Sequence, residues 1–256
     1  MGAVVARQWA DSLDQFGYAN ESLAAGRELQ RRTESKFVMP AAAAQALLPR
    51  LKDDYAVLSA GAASVASYRS LYFDTAELAF FHAQRRGRRV RHKVRIRHYP
   101  DRRVSFLEIK LRSGAGSTSK VRRERNYGDN QLGLDDLRFI TSNCPVDQEL
   151  LPQAWIDYRR VTLINTGTAE RVTIDFDLCL SRGSCEVSLH DAAVVEVKQS
   201  RLDRDTAAMV ALRQSGWRTG PASKYCAGIV LTSPEVRANR LQAGLRALKA
   251  VGTWAS

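Results

Sequence analysis

The chain has 256 residues, with 39 Lys and Arg against 27 Asp and Glu, a formal net charge of +12 and a pI near 9.9. Hydrophobic content of 45% suffices for the core of one large domain or two small ones, and the charge predicts attraction to nucleic acid, an anionic membrane surface or phosphate-rich small molecules. No apolar run approaches the ~18 residues needed to span a bilayer; Asp11, Asp14 and Glu21 interrupt residues 1–30 and argue against a secretory signal; and Cys144, Cys179, Cys185 and Cys226 lack CxxC spacing, so they read as reduced thiols and imply a cytoplasmic location.

In chain order, residues 1–30 read as a polar helical arm or packing helix. Residues 31–39 read as the first strand, with Arg32, Glu34 and Lys36 on one side and Phe37 on the other. Pro40 and the alanines at 41–44 open a helix expected to run to about residue 52. Residues 67–75 form a strand containing Tyr72, Phe73 and Asp74, and residues 76–84 a short helix or a turn. Gly87 marks a turn among Arg85, Arg86, Arg88 and Arg89, which is either a nucleic-acid or targeting patch or a solvated loop.

The stretch 88–99 organises the rest. Lys93, Arg95 and Arg97 alternate with Val94, Ile96 and His98, the period of a strand with two unlike faces. Its cations would stand about 7 Å apart, twice the strand rise. Pro100 and Asp101 turn the chain into residues 105–112, where Glu108, Lys110 and Arg112 share one face and Leu107, Ile109 and Leu111 the other. The Ser/Gly-rich residues 113–120 lack the GxxxxGK[ST] pattern and read as a hairpin connection; Lys120 and Arg122 follow on one strand face. Residues 128–143 are a polar connection with a short helix. Strands follow at 155–165, 171–178 and 194–198. Asp203 or Asp205 would cap a helix through residue 214, and Pro234 would start a final amphipathic helix.

Two arrangements fit these strands. Their polar faces could meet solvent above a sandwich core. Alternatively, the sheet closes, the polar faces point into a lumen and the apolar faces pack outward against helices. About eight strands in meander order can close into a barrel that holds one small ligand and has no edges. Burying so many cations would then require a counter-charge, which a bound phosphate chain supplies.

Glu34-x-Lys36-Phe37, Tyr72-Phe73-Asp74, Arg95-Ile96-Arg97, Glu108-x-Lys110, Ser119-Lys120, Tyr158-Arg159-Arg160, Arg171-x-Thr173-x-Asp175, Glu196-x-Lys198 and Ser223-Lys224-Tyr225 occur in that order. The ordered set resembles the VTC domain, the polyphosphate polymerase module of the vacuolar transporter chaperone and a branch of the triphosphate tunnel metalloenzymes. The resemblance implies an α+β fold, an eight-stranded antiparallel β-barrel with a basic lumen and surrounding helices. On this reading a single domain spans residues 1–256. Its tunnel core is residues 31–232, its N-terminal helical arm residues 1–30 and its C-terminal helix residues 233–256.

The resemblance further implies ATP, inorganic polyphosphate or tripolyphosphate as ligands, with Mn²⁺ or Mg²⁺. By motif match Lys36, Arg95, Arg97, Lys110, Lys120, Arg160, Arg171, Lys198 and Lys224 hold phosphates, and Tyr158 and Ser223 add hydroxyl contacts. Arg95, Arg97, Lys110, Arg160 and Lys224 are the catalytic cations of the set. Glu196 matches the metal-binding glutamate, and Glu34, Glu108, Asp175 and Asp177 stand as tunnel-wall or metal-supporting acids. The triphosphatase branch carries Glu-x-Glu-x-Lys on its first strand; Arg32 stands at the first of those positions here, which favours the polymerase-like branch.

The residue types suit phosphoryl transfer. Arginine grips two oxygens with a fixed fork, lysine acts as a point charge, and a hard divalent ion takes carboxylate and phosphate oxygens. A phosphate chain end is already ionised as acceptor, whereas water would need a carboxylate such as Glu34 or Glu108 to orient it. The expected function is polyphosphate synthesis from ATP. The alternatives are a tunnel tripolyphosphatase or nucleoside triphosphatase, and a non-catalytic module for polyphosphate or, more weakly, nucleic acid. A membrane protein partner is left open.

Overall fold

Period-two strands dominate the fold. The computed structural model describes residues 2–25, 33–59, 61, 63–114, 118–238 and 241–251; Arg32 lies outside them. The strands are β1 (Thr33–Pro40), β2 (Tyr55–Val57), β3 (Val65–Asp74), β4 (Arg91–Tyr99), β5 (Val104–Arg112), β6 (Thr118–Arg125), β7 (Leu151–Asn165), β8 (Glu170–Arg182), β9 (Cys185–Leu189) and β10 (Ala192–Gln199). All pair antiparallel. Eight of them form the path β1-β10-β8-β7-β3-β4-β5-β6, with β2 added on β7 and β9 on β8.

Along the path the order departs from a meander at three places: β1 pairs with the last strand, β10 pairs with β8 past β9, and β3 pairs with β7; the first and the last are long-range. Both long-range pairings cross more than seventy residues, and no local turn encodes them. Among the described residues the end strands β1 and β6 do not pair, so the sheet is a strongly curled, loosely closed barrel. Its curl is evident where Lys110 of β5 reaches Glu34 of β1, Nζ to Oε2 3.6 Å.

The strands are inside-out. Val94 and Ile96 of β4 are buried in an outer cluster with Leu107 and Ile109 of β5, and Ile140 of helix α5 (Leu134–Asn143) covers them. A second outer cluster joins Phe37, Val161, Val172, Ile174 and Phe176 to helices α1 (Gly2–Asp11) and α6 (Ala207–Gln214). Within it Trp9 stacks on Phe176 at 4.2 Å between ring centres. Residues 2–25 therefore include α1, whose Trp9 is buried, then buried Leu13 and Phe16, and the short helix α2 (Glu21–Ala25).

The inner face has two parts. Register places Ala154 opposite Tyr72 and Ile156 opposite Ser70, on the side that also carries Arg95 and Arg97. Helix α7 (Lys224–Leu231) packs against that apolar part: Tyr225 stacks on Tyr72 at 5.0 Å, and a Cβ at Gly228 would come within 2.6 Å of Ile156. Helix α7 also meets α4 (Ala79–Arg85), and helix α8 (Gln242–Val251) adds Leu245 and Leu248 to the same cluster. These helices roof one end of the sheet. No helix among the described residues is long and apolar enough to cross a membrane.

Several local expectations change. The helix after Pro40 stops at Gln45 (α3, Ala41–Gln45), and a 3₁₀ turn, Leu48–Arg50, replaces its second half. Pro49 has no N–H for a continuing helix. Thr206, rather than Asp203 or Asp205, precedes α6. The last helix starts at Gln242, because the chain after Pro234 is held as a turn: Arg182 donates to Ser233 at 2.6 Å and Arg85 to the Arg237 carbonyl at 3.0 Å.

Candidate phosphate-binding lumen

The polar part of the inner face brings nine cations, Lys36, Lys93, Arg95, Arg97, Lys110, Lys120, Arg160, Lys198 and Lys224, against four carboxylates, Glu34, Glu108, Asp175 and Glu196. Strand alternation supplies most of them, since residues two apart on one strand share a face. Lys224 and Ser223 come from the N-terminus of α7, where the Ser223 hydroxyl accepts from the Cys226 N–H.

The carboxylates are spaced as three charge centres. Glu108, with 2% of its side chain exposed, accepts from Arg95 Nε and Nη2 at 2.8 and 2.6 Å and from Lys120, with Arg97 3.9 Å away. Asp175, 1% exposed, takes a two-pronged contact from Arg160 at 2.5 and 2.8 Å, and one from Lys224. Glu196 accepts from Lys36 at 2.5 Å and lies 3.3 Å from Lys198, while Glu34 lies 3.5 Å from the same Lys36 ammonium. Register explains the last group: Lys36 stands opposite Glu196 in β1–β10, and Glu34 opposite Lys198.

Aromatic rings floor the lumen. Tyr68 and Tyr158 stack at 5.1 Å, with the Arg97 and Arg160 guanidiniums 5.1 and 4.9 Å from the Tyr68 ring centre and the Lys224 ammonium 4.9 Å from that of Tyr158. Such contacts partly offset cation desolvation. Arg97 donates to the Tyr158 hydroxyl at 2.9 Å, Arg95 to the Tyr72 hydroxyl at 2.7 Å, and Lys93 to Ser223 at 3.1 Å.

Proton affinities show which charge is in excess. Burial disfavours the charged form of Glu108, yet Arg95, Arg97 and Lys120 outweigh it and hold the carboxyl well below the usual range. Burial likewise opposes the Asp175 carboxylate, and Arg160 with Lys224 overrides it. Lys110, Lys120, Lys198 and Lys224 lose proton affinity as well, whereas Glu196 and Glu34 raise Lys36 against its burial. Burial pushes Lys198 down to about 7 against the pull of Glu196, with Arg160 adding repulsion. Burial brings Lys120 down to about 8 against Glu108, with Arg95 and Arg97 adding to the fall. Tyr72 is buried, which raises a phenol, but Arg95, Arg97 and Lys93 bring its hydroxyl down to about 8. The fall of Tyr72 against its own burial marks a cavity short of negative charge.

Of the residues singled out in the sequence, Lys36, Arg95, Arg97, Lys110, Lys120, Tyr158, Arg160, Lys198, Ser223, Lys224 and Glu196 come together here, with Glu34, Glu108 and Asp175. Arg171 stands opposite Lys198 in β8–β10, two residues from Thr173 on the same face. Asp177 does not join. It sits at a one-residue bulge in β8 with φ 52°, which turns it towards Arg159 (3.3 Å) and His190 (2.7 Å) and lets Asp175 and Leu178 share the inner face. Tyr72, Tyr68 and Lys93 are additional members. Lys93 and Tyr72 had a legible signal, the parity that puts them on the same faces as Arg95 and Ser70.

Solved structures similar to this chain include an adenylate cyclase candidate of Bacillus halodurans, at 14% identity over 76% of this chain and 94% of that one, with TM-score 0.48. Another is the Hippeastrum adenylyl cyclase candidate HpAC1, described with a dominant triphosphatase activity, at 17% identity over 80% and 96% with TM-score 0.46. A third is the PH1012 protein of Pyrococcus horikoshii, at 10% identity over 75% and 96% with TM-score 0.42. At these scores nothing about chemistry follows from them. No curated protein matches the sequence. The family model for the VTC domain matches residues 31–131 and 140–232, a span that contains every strand of the lumen wall. The chain belongs to the VTC domain family.

Proposed function

We propose that the lumen binds the triphosphate of ATP and a phosphate chain, and that it transfers phosphoryl groups to the chain end, making polyphosphate. The observation that carries this is the excess of cations over carboxylates on the inner face, strong enough to bring the Tyr72 hydroxyl down to about 8 although its burial opposes the fall. A linear polyanion supplies the missing charge along the whole row. A single carboxylate or sulfate would fill only one of the three centres.

The state of the acids favours a phosphate acceptor over water. Glu108 is held by two arginines and a lysine, and its depressed proton affinity makes it a poor general base. An ionised chain end needs no base, only charge neutralisation and alignment, which Arg95, Arg97 and Arg160 provide through planar forks and Lys36, Lys110, Lys120 and Lys224 as point charges.

The donor set also fits a hard divalent ion. Glu34 and Glu196 both converge on the Lys36 ammonium, so they can share a cation. Among the described residues no group of three His, Cys, Asp or Glu side chains forms a metal site, which leaves remaining positions to phosphate oxygens and water, as Mg²⁺ commonly takes them. Bound there, Mn²⁺ or Mg²⁺ would neutralise charge on the leaving phosphate. Lys36 would then be released to a phosphate oxygen.

Incubation with ATP and Mn²⁺ or Mg²⁺, reading both long-chain polyphosphate and free phosphate, tests the reading. Chain growth that is lost in Arg95→Ala with the fold intact is the expected result. Free phosphate without chain growth would make the protein a triphosphatase, and neither product would make it a binding module.

A further inference from the structure

We infer that the roofed end of the lumen holds a second phosphate-chain subsite, built by Arg91 and Arg112, through which the chain passes beneath α8. The inference rests on the lumen reading above and adds the path of the chain to it.

Arg91 and Arg112 stand directly opposite each other in the β4–β5 ladder, followed inward by the opposed pair Lys93 and Lys110, and then by Arg95 and Glu108. Residue parity puts all six on the inner face. Lys110 also stands opposite Lys120 across β5–β6. The ladder is therefore charge-matched at the Arg95–Glu108 rung and like-charged at the two rungs nearer the roof. Like charges directly opposite each other destabilise an antiparallel pair. At the next rung Lys110 has Glu34 within 3.6 Å. At the outermost rung the nearby charge is the partner arginine: burial and Arg112 both lower the proton affinity of Arg91. Among the described residues neither arginine has an ion pair.

The two arginines border a cavity of about 460 Å³. Its walls also carry Lys36 and Ser223 from the lumen and Leu245 and Leu248 from α8, so the space is continuous with the site and is capped by the roof. The backbone keeps α8 close: a Cβ on Gly244 would lie 2.0 Å from the Pro221 carbonyl oxygen. An unmatched guanidinium pair in a space open to a cation-lined lumen is the arrangement a continuing phosphate chain would neutralise. The rungs follow one another at about 7 Å, so Arg91 stands about 14 Å along β4 from Arg95. A tripolyphosphate centred on Arg95 would end before the outermost rung, and a long chain would cross it.

The test is binding of tripolyphosphate, ATP and a long-chain polyphosphate to the full chain and to Arg91→Ala/Arg112→Ala. The expected result is about a tenfold or greater loss of affinity for the long chain only. Equal long-chain affinity in the two proteins would overturn the inference, and so would a parallel loss for ATP, which would assign the cavity to the nucleotide. Failure of the lumen reading looks different: the unaltered protein would not bind tripolyphosphate, and if its long-chain binding also ignored both arginines, both readings would fall. A second variant guards against misfolding. Arg112→Glu creates a cross-strand ion pair with Arg91, so it should raise the melting temperature without phosphate and still lose long-chain affinity; a lowered melting temperature together with undiminished long-chain binding would contradict the proposal.

Discussion

Glu108 sets the charge balance of the lumen. It neutralises part of Arg95, Arg97 and Lys120 from a position with almost no solvent. Breaking a buried ion pair by removing one partner typically costs about 3–5 kcal/mol. Glu108→Gln should therefore lower the melting temperature by roughly ten degrees, at 2–4 °C per kcal/mol for a chain of this size, and tripolyphosphate should restore much of it. An unchanged melting temperature, or one that phosphate does not raise, would show that Glu108 is not the internal counter-charge. The acid limb follows from the same groups. Glu108 and Asp175 titrate below their ordinary values in the fold, so their stabilisation is present above about pH 4 and is lost as pH falls. Lys120 works in the opposite sense at the basic side. Burial lowers it to about 8, so at pH 9 it is mostly neutral in the free protein. An arriving phosphate favours the ammonium, and binding at pH 9 should take up protons. Calorimetry in buffers of different ionisation enthalpy reads that uptake, and Lys120→Met should reduce it. Lys36, Arg95, Lys110, Glu196 and Lys224 were legible only as a set, because each motif is two or three residues long. Tyr72 reads as a packing residue in sequence, yet its hydroxyl is bonded to Arg95.

At the scale of elements, Asp74 ties the roof together. Its carboxylate is fully buried and accepts from the N–H groups of Thr75, Phe80 and Phe81 at 2.8, 2.8 and 2.9 Å and from the Tyr225 hydroxyl at 2.5 Å. One residue thus fixes the end of β3, the start of α4 and the seat of α7. Asp74→Ala would leave several buried donors unmatched, at about 1–3 kcal/mol each. Chemical denaturation should show a loss of several kcal/mol, and a variant within 1 kcal/mol of the parent (about the error of such a comparison) would mean that water replaces the carboxylate. The strands with clean alternation, β4, β5 and β10, were legible because both faces are buried or charged along their whole length. The helices were less so. Alanine at 41–44 promises a long helix, but Pro49 ends it, and tertiary contacts of Ser233 and Arg237 delay the last helix. The bulge at Asp177 has no local signature, since aspartate is only one of several residues that tolerate positive φ.

At the scale of the molecule, alternation alone left open whether the polar faces meet solvent or a lumen. The strand order decides it: β1 pairs with β10 and β3 with β7, and these long-range pairings curl the sheet until Lys110 meets Glu34. No turn or propensity encodes such contacts, whereas the ordered motifs of the VTC domain carried them implicitly. Apolar faces then pack outward under α1, α5 and α6, and the cations converge inside. The cost of that convergence is the basis of the functional account. Titration calorimetry with tripolyphosphate, on the parent protein and on Arg97→Ala, tests it most directly. The account predicts saturable binding at one equivalent per chain and its loss in the variant, whose guanidinium is buried beside Glu108 and Tyr158. Weak, unsaturable binding that salt abolishes and Arg97→Ala leaves unchanged would place the phosphate on the outer surface and contradict the cation-lined lumen as its site.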